Sequence, residues 1–251
     1  MNEEYLVEMK NIHKSFGAVR ALRGVDFNVK KQEVVGLLGD NGAGKSTLIK
    51  ILCGVLPPDR GEIYYKGEEL NISSPYEARN KGIETVHQEL SLVNTMPIAR
   101  NMFLGKEPTK KIGPFKFLDK KKMNEEASKV IGEVGIKVRS PDEFVSILSG
   151  GERQAIAIGR AVHFDARLLI LDEPLRALSV KEQNNVLEHI RQVREGGASI
   201  IFISHNVYHA YSVTDRFVLL NKGEKQGEIM SEDCNPEEIA EYVSTGKKVK
   251  G

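Results

Sequence analysis

Nine consecutive residues, Gly39-Asp40-Asn41-Gly42-Ala43-Gly44-Lys45-Ser46-Thr47, fit the pattern G-x-x-x-x-G-K-[ST]. They lie between an apolar run, Val34-Val35-Gly36-Leu37-Leu38, and a helical pattern that starts at Lys45. Glycines at these positions let the backbone wrap closely around a phosphate with its N–H groups turned inward. The helix start adds positive potential, Lys45 a point charge, and Ser46 a hydroxyl for Mg²⁺. This is a phosphate site rather than an ordinary glycine-rich turn. A second constellation is Leu168-Leu169-Ile170-Leu171-Asp172-Glu173, with two acids at the end of a buried strand. Ligands of α/β sheets gather at the carboxyl ends of strands, so these acids can face the same crevice as the glycine-rich loop. One carboxylate can hold Mg²⁺ while the next polarises an attacking water. A third is Leu148-Ser149-Gly150-Gly151-Glu152-Arg153-Gln154. Ser149 and Glu152 have the spacing of a capping box, but two successive glycines are poor helix formers, and Ser plus Gly-Gly at a helix start offers a second anion site. His205 follows the apolar run Ile200-Ile201-Phe202-Ile203-Ser204, and with His209 it has a zinc-like i, i+4 spacing. Without an adjacent Glu or a third ligand, no metal site is expected there.

These residues need strands to carry them. Strand-like stretches occur at Tyr5 to Met9, Val25 to Val29, Glu33 to Leu38, Gly61 to Tyr65 and Ile83 to Val86, the last ending at His87-Gln88. The helical pattern from Lys45 runs to Gly54, and Pro57-Pro58 bars its continuation. From Leu90 to Arg153 strand signals fade, a helix is expected over Asp119 to Val134, and Lys106-Glu107-Pro108-Thr109-Lys110-Lys111 reads as a polar loop. Alternation then resumes, with buried strands at Leu168 to Leu171 and Ile200 to Ile203, a helix over Lys181 to Glu195, a short helix over His205 to Tyr211, and a strand at Phe217 to Leu220. Alternating apolar strands and helices imply a parallel sheet covered on both faces. The expected organisation is one domain over 1–251, with an α/β core from 1–89 and 154–251 and a mostly helical insertion over 90–153.

Composition narrows the class. Lys plus Arg number 36 against 35 Asp plus Glu, a net charge of +1, which does not suggest a duplex-coating or polybasic membrane protein. With 40% hydrophobic and 28% charged residues the chain is globular, not disordered. The longest strictly apolar runs are four residues, far from the roughly 20 that span a bilayer. The start has no signal-peptide pattern, and Cys53 and Cys234 have neither metal spacing nor a disulfide framework, so a reduced, cytosolic setting is expected.

The glycine-rich loop, LSGGERQ, LLILDEP and a later ISH, in this order, resemble the nucleotide-binding subunit of an ATP-binding cassette (ABC) transporter over essentially the whole chain. The resemblance implies a P-loop NTPase (RecA-like) fold: a mostly parallel core sheet, an N-terminal antiparallel β part and an inserted helical subdomain. It implies ATP and Mg²⁺ as cofactors. By position, Phe16 in His13-Lys14-Ser15-Phe16-Gly17 stacks on adenine, and Gln88 in Val86-His87-Gln88-Glu89-Leu90 touches Mg²⁺ or water and links to a transmembrane partner. Asp172 coordinates magnesium, Glu173 is the catalytic carboxylate, and His205 contacts the γ-phosphate. Ser149, Gly150 and Gly151 open the signature helix. A head-to-tail homodimer clamping two ATP molecules is implied, since the loop and the Ser149 helix are each half of a phosphate site. Further implied are transmembrane permease subunits, indirectly a substrate-binding protein, no nucleic acid, and a cytoplasmic place on the inner face of the cell membrane. The family usually reads D-E-P-T-x-A-L, whereas here Leu175 replaces the threonine and Arg176 follows.

His87-Gln88-Glu89-Leu90, Asn101-Met102-Phe103-Leu104-Gly105 and Ala177-Leu178-Ser179 look like importers of the ribose/galactose/fructose type. Those often fuse two cassettes, and a single one resembles the fructose-type variants. Under a permease, part of Glu89 to Met96 is expected to be an exposed apolar groove. The alternative is a soluble, non-transport ABC ATPase. A GTPase would need N-K-x-D, and Asn221-Lys222-Gly223-Glu224 ends in Glu instead.

Overall fold

The computed structural model describes residues 5–87, 90–136 and 138–247. The chain forms two compact units, one from 1–85, 166–174 and 190–251, the other from 86–165 and 175–189.

The first unit holds two sheets. Strands β1 (Tyr5–Phe16) and β2 (Val19–Lys30) form an antiparallel hairpin, extended by β4 (Arg60–Tyr65) and β5 (Glu68–Glu69) in the order β2-β1-β4-β5. Its sequence alternates: Val25, Phe27 and Val29 are buried while the residues between them are not, as a strand with one covered face requires. The second sheet has the order β12-β11-β3-β10-β9-β6. Its members are β3 (Val34–Leu38), β6 (Ile83–Val86), β9 (Leu168–Asp172), β10 (Ser199–Ser204), β11 (Arg216–Asn221) and β12 (Glu224–Met230). Strands β11, β3, β10 and β9 run parallel, and β12 returns antiparallel to β11. Every residue of β3 and β10 is buried, which explains their uninterrupted apolar sequence. Helices α1 (Lys45–Leu52), α2 (Pro75–Asn80), α7 (Val207–Ala210) and α8 (Pro236–Thr245) complete this unit. One buried core joins Phe27 and Met9 of the antiparallel sheet, Leu48 and Leu52 of α1, and Ile170 and Ile201 of the parallel strands. Arg216 adds a buried polar tie, donating to Glu33 at 2.9 Å, to the Asn28 amide oxygen at 2.9 Å and to Glu228 at 2.6 Å. Removing Arg216 would strand the Glu33 carboxylate away from water.

The second unit contains α3 (Ile98–Met102), α4 (Lys120–Glu133) and α5 (Gly150–His163), packed through Met102, Phe103, Met123, Val130 and Ile156. Helix α6 (Val180–Glu195) begins in this unit and ends in the first. Two expectations change. The polar loop at 106–111 instead runs into a hairpin, β7 (Thr109–Ile112) with β8 (Phe115–Leu118), turned at Gly113 with φ 61°. Glycine in the first turn position followed by proline suits the tight turn that the twist of a hairpin favours. Over the described residues of Glu89 to Met96 the chain is less open than expected: Leu90, Leu92, Val93 and Met96 are each half-buried, neither packed away nor fully exposed. The buried Asn101 carboxamide fixes it, accepting from the Val93 N–H at 2.7 Å and donating to the Val93 and Met96 carbonyls. Among the described residues, no helix is long and apolar enough to cross a membrane.

Candidate phosphate-binding and catalytic site

The glycine-rich loop leaves the buried end of β3 and enters α1 in one sharp turn. Gly39, Gly42 and Gly44 all have positive φ, at 151°, 81° and 106°. A Cβ on Gly39 would stand 2.2 Å from the Leu220 carbonyl oxygen, and one on Gly44 would stand 2.8 Å from that of Ala21. Glycine is therefore required by space as well as by dihedral angle. The Asp40 carbonyl accepts from the Ala43 N–H at 3.1 Å, and the Ala43 carbonyl from the Gly223 N–H at 3.0 Å, which pins the loop to the β11–β12 turn. Gly42 and Asn41 face outward, with open space where a Gly42 side chain would be. The Lys45 ammonium donates to the Gly39 carbonyl and, at 3.1 Å, to that of Asp40. Burial pulls the Lys45 pKa below its ordinary value, against the opposing fields of Glu173, Asp172 and Asp40. Ser46 is exposed beside it and Thr47 half-buried.

The strand register brings the other residues to this end of the sheet. Asp172 pairs with Ile203 across β9 and β10, and Ser204 pairs with Leu38 across β10 and β3. Glu173, one residue past β9, has φ 51°, a left-handed conformation uncommon for a residue with a side chain. Its N–H donates to the Ile203 carbonyl at 3.0 Å. Its carboxylate accepts from the His205 N–H at 2.9 Å, lies 2.6 Å from His205 Nδ1, and accepts from the Ser204 hydroxyl at 3.2 Å. His209 lies 3.2 Å from the Asn206 amide, and burial lowers its pKa despite the field of Glu173. Lys45, Asp172, Glu173 and His205 thus share one electrostatic neighbourhood in the first unit. Phe16 sits at the β1–β2 tip, opposite Val19, with its ring 48% exposed and available for stacking. Gln88 and Glu89 lie outside the described residues.

The Ser149 segment belongs to the second unit. Ser149 caps α5 by accepting from the Glu152 N–H at 3.3 Å, and Glu152 accepts from the Ser149 N–H at 2.8 Å, a complete capping box. The sequence signals missed Glu182. Its carboxylate closes a second box with Ser179 and also accepts from the Gly151 N–H at 3.1 Å. The Ser179-x-x-Glu182 spacing was the available signal. The glycine pair has a packing cause too: a Cβ on Gly150 would stand 2.9 Å from Leu178, and one on Gly151 would stand 2.8 Å from the Glu182 Cβ. Leu175, in place of threonine, is 1% exposed, whereas Arg176 is exposed, so the hydroxyl has given way to core packing.

Comparison with known proteins agrees with this geometry. Residues 22–176 match the ABC transporter family. The chain is 46% identical over 240 residues to the xylose/arabinose import ATP-binding protein XylG of Sulfolobus acidocaldarius, covering 96% of this chain and 94% of that protein. It is 38% identical over 252 residues to the fructose import ATP-binding protein FrcA of Rhizobium meliloti, covering 99% and 97%. The solved ADP conformation of MJ1267, an ATP-binding cassette of an ABC transporter, superposes with a TM-score of 0.81 at 25% identity, covering 96% and 95%. With a P-loop at the end of a parallel sheet and a capped LSGGERQ helix, the chain belongs to the ABC transporter family, as one of its ATP-hydrolysing cassettes.

Proposed function

We propose that this chain is the ATP-hydrolysing subunit of a sugar importer and drives transport through membrane permease subunits. The observation that carries the sugar class is the match along nearly the full length of two sugar-import ATP-binding proteins. A substrate-binding protein would deliver the sugar outside, and this chain would work on the inner face of the membrane.

In the proposed reaction the Gly39–Thr47 loop wraps the phosphates with its N–H groups, and Phe16 stacks on adenine. The Lys45 ammonium exchanges the Gly39 and Asp40 carbonyls for phosphate oxygens. The donor set suits Mg²⁺. Ser46 and Asp172 offer one hydroxyl and one carboxylate, and the described residues hold no cluster of three His, Cys, Asp or Glu that could cage a metal alone. A cation shared with phosphate oxygens fits that set, and would neutralise charge on them. Glu173 takes the proton of the attacking water once His205 turns from its carboxylate towards the γ-phosphate. Gln88 is assigned to the water, the cation and the link with the permease. Ser149, Gly150 and Gly151 complete the phosphate site of a second, head-to-tail copy.

The test is the chain purified with its permease and reconstituted in vesicles. Turnover should rise when a sugar-loaded binding protein is added, and Lys45→Ala should abolish both turnover and uptake. A complex whose turnover ignores every pentose and hexose supplied would contradict the sugar assignment.

A further inference from the structure

The β7–β8 hairpin holds none of the residues assigned to the nucleotide, and it carries exposed lysines and aromatic rings. From Lys106 to Lys122 there are seven lysines against two acids, a local charge of +5 in a protein of net +1. Cross-strand pairing arranges them in layers. The pair nearest the turn is Ile112 with Phe115, the next is Lys111 with Lys116, and the third is Lys110 with Phe117. Ile112 is 57% exposed, Phe115 66% and Phe117 49%. The two phenylalanine rings touch edge to face with centroids 6.5 Å apart. Among the described residues, Lys110, Lys111 and Lys116 have no carboxylate partner, unlike Lys121 and Lys122, which pair with Glu125 and Glu126. The base of the hairpin is anchored by Leu118 against the core of the second unit and by the Asp119 N–H on the Pro108 carbonyl at 2.8 Å.

We infer that the tip of this hairpin dips into the surface of an anionic lipid bilayer. An apolar tip followed one residue later by a band of cations matches the order of layers met on entering a membrane, acyl boundary first and headgroup phosphate next. Successive pairs are about 3.3 Å apart, so Ile112, Pro114 and Phe115 reach the acyl edge while the lysines stay among the phosphates. Lysine stems are long enough to extend along the ribbon towards them. A nucleic-acid site would place its cations foremost, and here they stand behind an apolar edge. A two-stranded ribbon alone is only marginally stable, and an interface that takes up its exposed tip would hold it. This contact goes beyond the importer reading, since it is with lipid and not with a permease.

Co-flotation of the purified full-length chain with vesicles tests it. The chain should float with vesicles of equal parts phosphatidylcholine and phosphatidylglycerol, lose that binding at high salt, and stay behind with phosphatidylcholine alone. Reversing Lys110, Lys111 and Lys116 to Glu should weaken binding by on the order of 10²-fold, at roughly fivefold or more per lysine. The double variant Ile112→Ser/Phe115→Ser should weaken it by on the order of tenfold or more. Soluble ATP turnover, read in parallel, should be unchanged in both variants because the hairpin is remote from the chemistry in sequence and exposed. Failure of the wild-type chain to float with anionic vesicles overturns the inference. So does flotation that neither variant weakens, or variants that lose only co-purification with a permease, which would assign the tip to a protein partner. Flotation needs neither sugar nor permease, so its failure would leave the ATPase assignment standing.

Discussion

Glu182 holds its charge unusually firmly: the Ser179 hydroxyl donates to it first, then the Gly151 and Ser179 N–H groups, and its pKa falls from 4.5 to about 2. Because the folded-state value lies below the ordinary one, the stabilisation is complete above pH 4.5 and is lost as pH falls from 4.5 towards 2. Glu182→Gln should therefore lower the melting temperature at neutral pH, with a difference from wild type that shrinks through that window. A difference independent of pH would mean that the carboxylate's charge is irrelevant there. Lys45 makes a second expectation at this scale. Lys45→Ala should abolish nucleotide binding in an equilibrium titration, since it removes the ammonium that the loop holds on the Gly39 and Asp40 carbonyls and that the proposed reaction hands to the phosphates. Retained affinity would remove Lys45 from the site. Lys45, Asp172 at the end of β9 and Glu173 one residue past it were legible from short motifs whose spacing points to phosphate chemistry, while the role of His205 came only from the resemblance to the family. The Glu173–His205 contact was not, because it depends on Glu173 turning left-handed at φ 51° and on the register of β9 against β10.

Among the elements, glycine has opposite consequences in α4 and α5. An alanine at Gly151 gains helix propensity of about 1 kcal/mol or less, but its Cβ meets the root of the Glu182 side chain at 2.8–2.9 Å, where little can yield. At Gly132 of α4 nothing lies within 4 Å. Gly151→Ala should thus lower stability, while Gly132→Ala raises it by about 0.5 kcal/mol, both read by denaturant unfolding. If both substitutions stabilise, the close approach of α6 to α5 is not a constraint. The buried parallel strands could be read from their unbroken apolar runs, as in Ile200 to Ile203. Strand β12, Glu224-Lys225-Gln226-Gly227-Glu228-Ile229-Met230, and the lysine-rich β7 could not. Both are polar ribbons at a sheet edge, whose strand character comes from pairing with a neighbour rather than from their own hydrophobicity.

At the scale of the whole molecule, the glycine-rich loop and the capped Ser149 helix fall in different units of one chain. Two copies arranged head to tail would let each complete the other, with ATP held between them and Glu173 spending it. That arrangement was expected from the sequence on the ground that the loop and the Ser149 helix are each half of a phosphate site. Isolated copies should associate weakly, since a permease normally raises their local concentration. The most direct measurement is the molecular mass of Glu173→Gln in solution with and without Mg-ATP, alongside its turnover. ATP should convert the monomer to a dimer, with turnover reduced by on the order of 10² or more relative to wild type while binding is retained. A variant that stays monomeric at high protein and ATP concentration, or that hydrolyses ATP at the wild-type rate, would contradict a two-copy ATPase with Glu173 as its base.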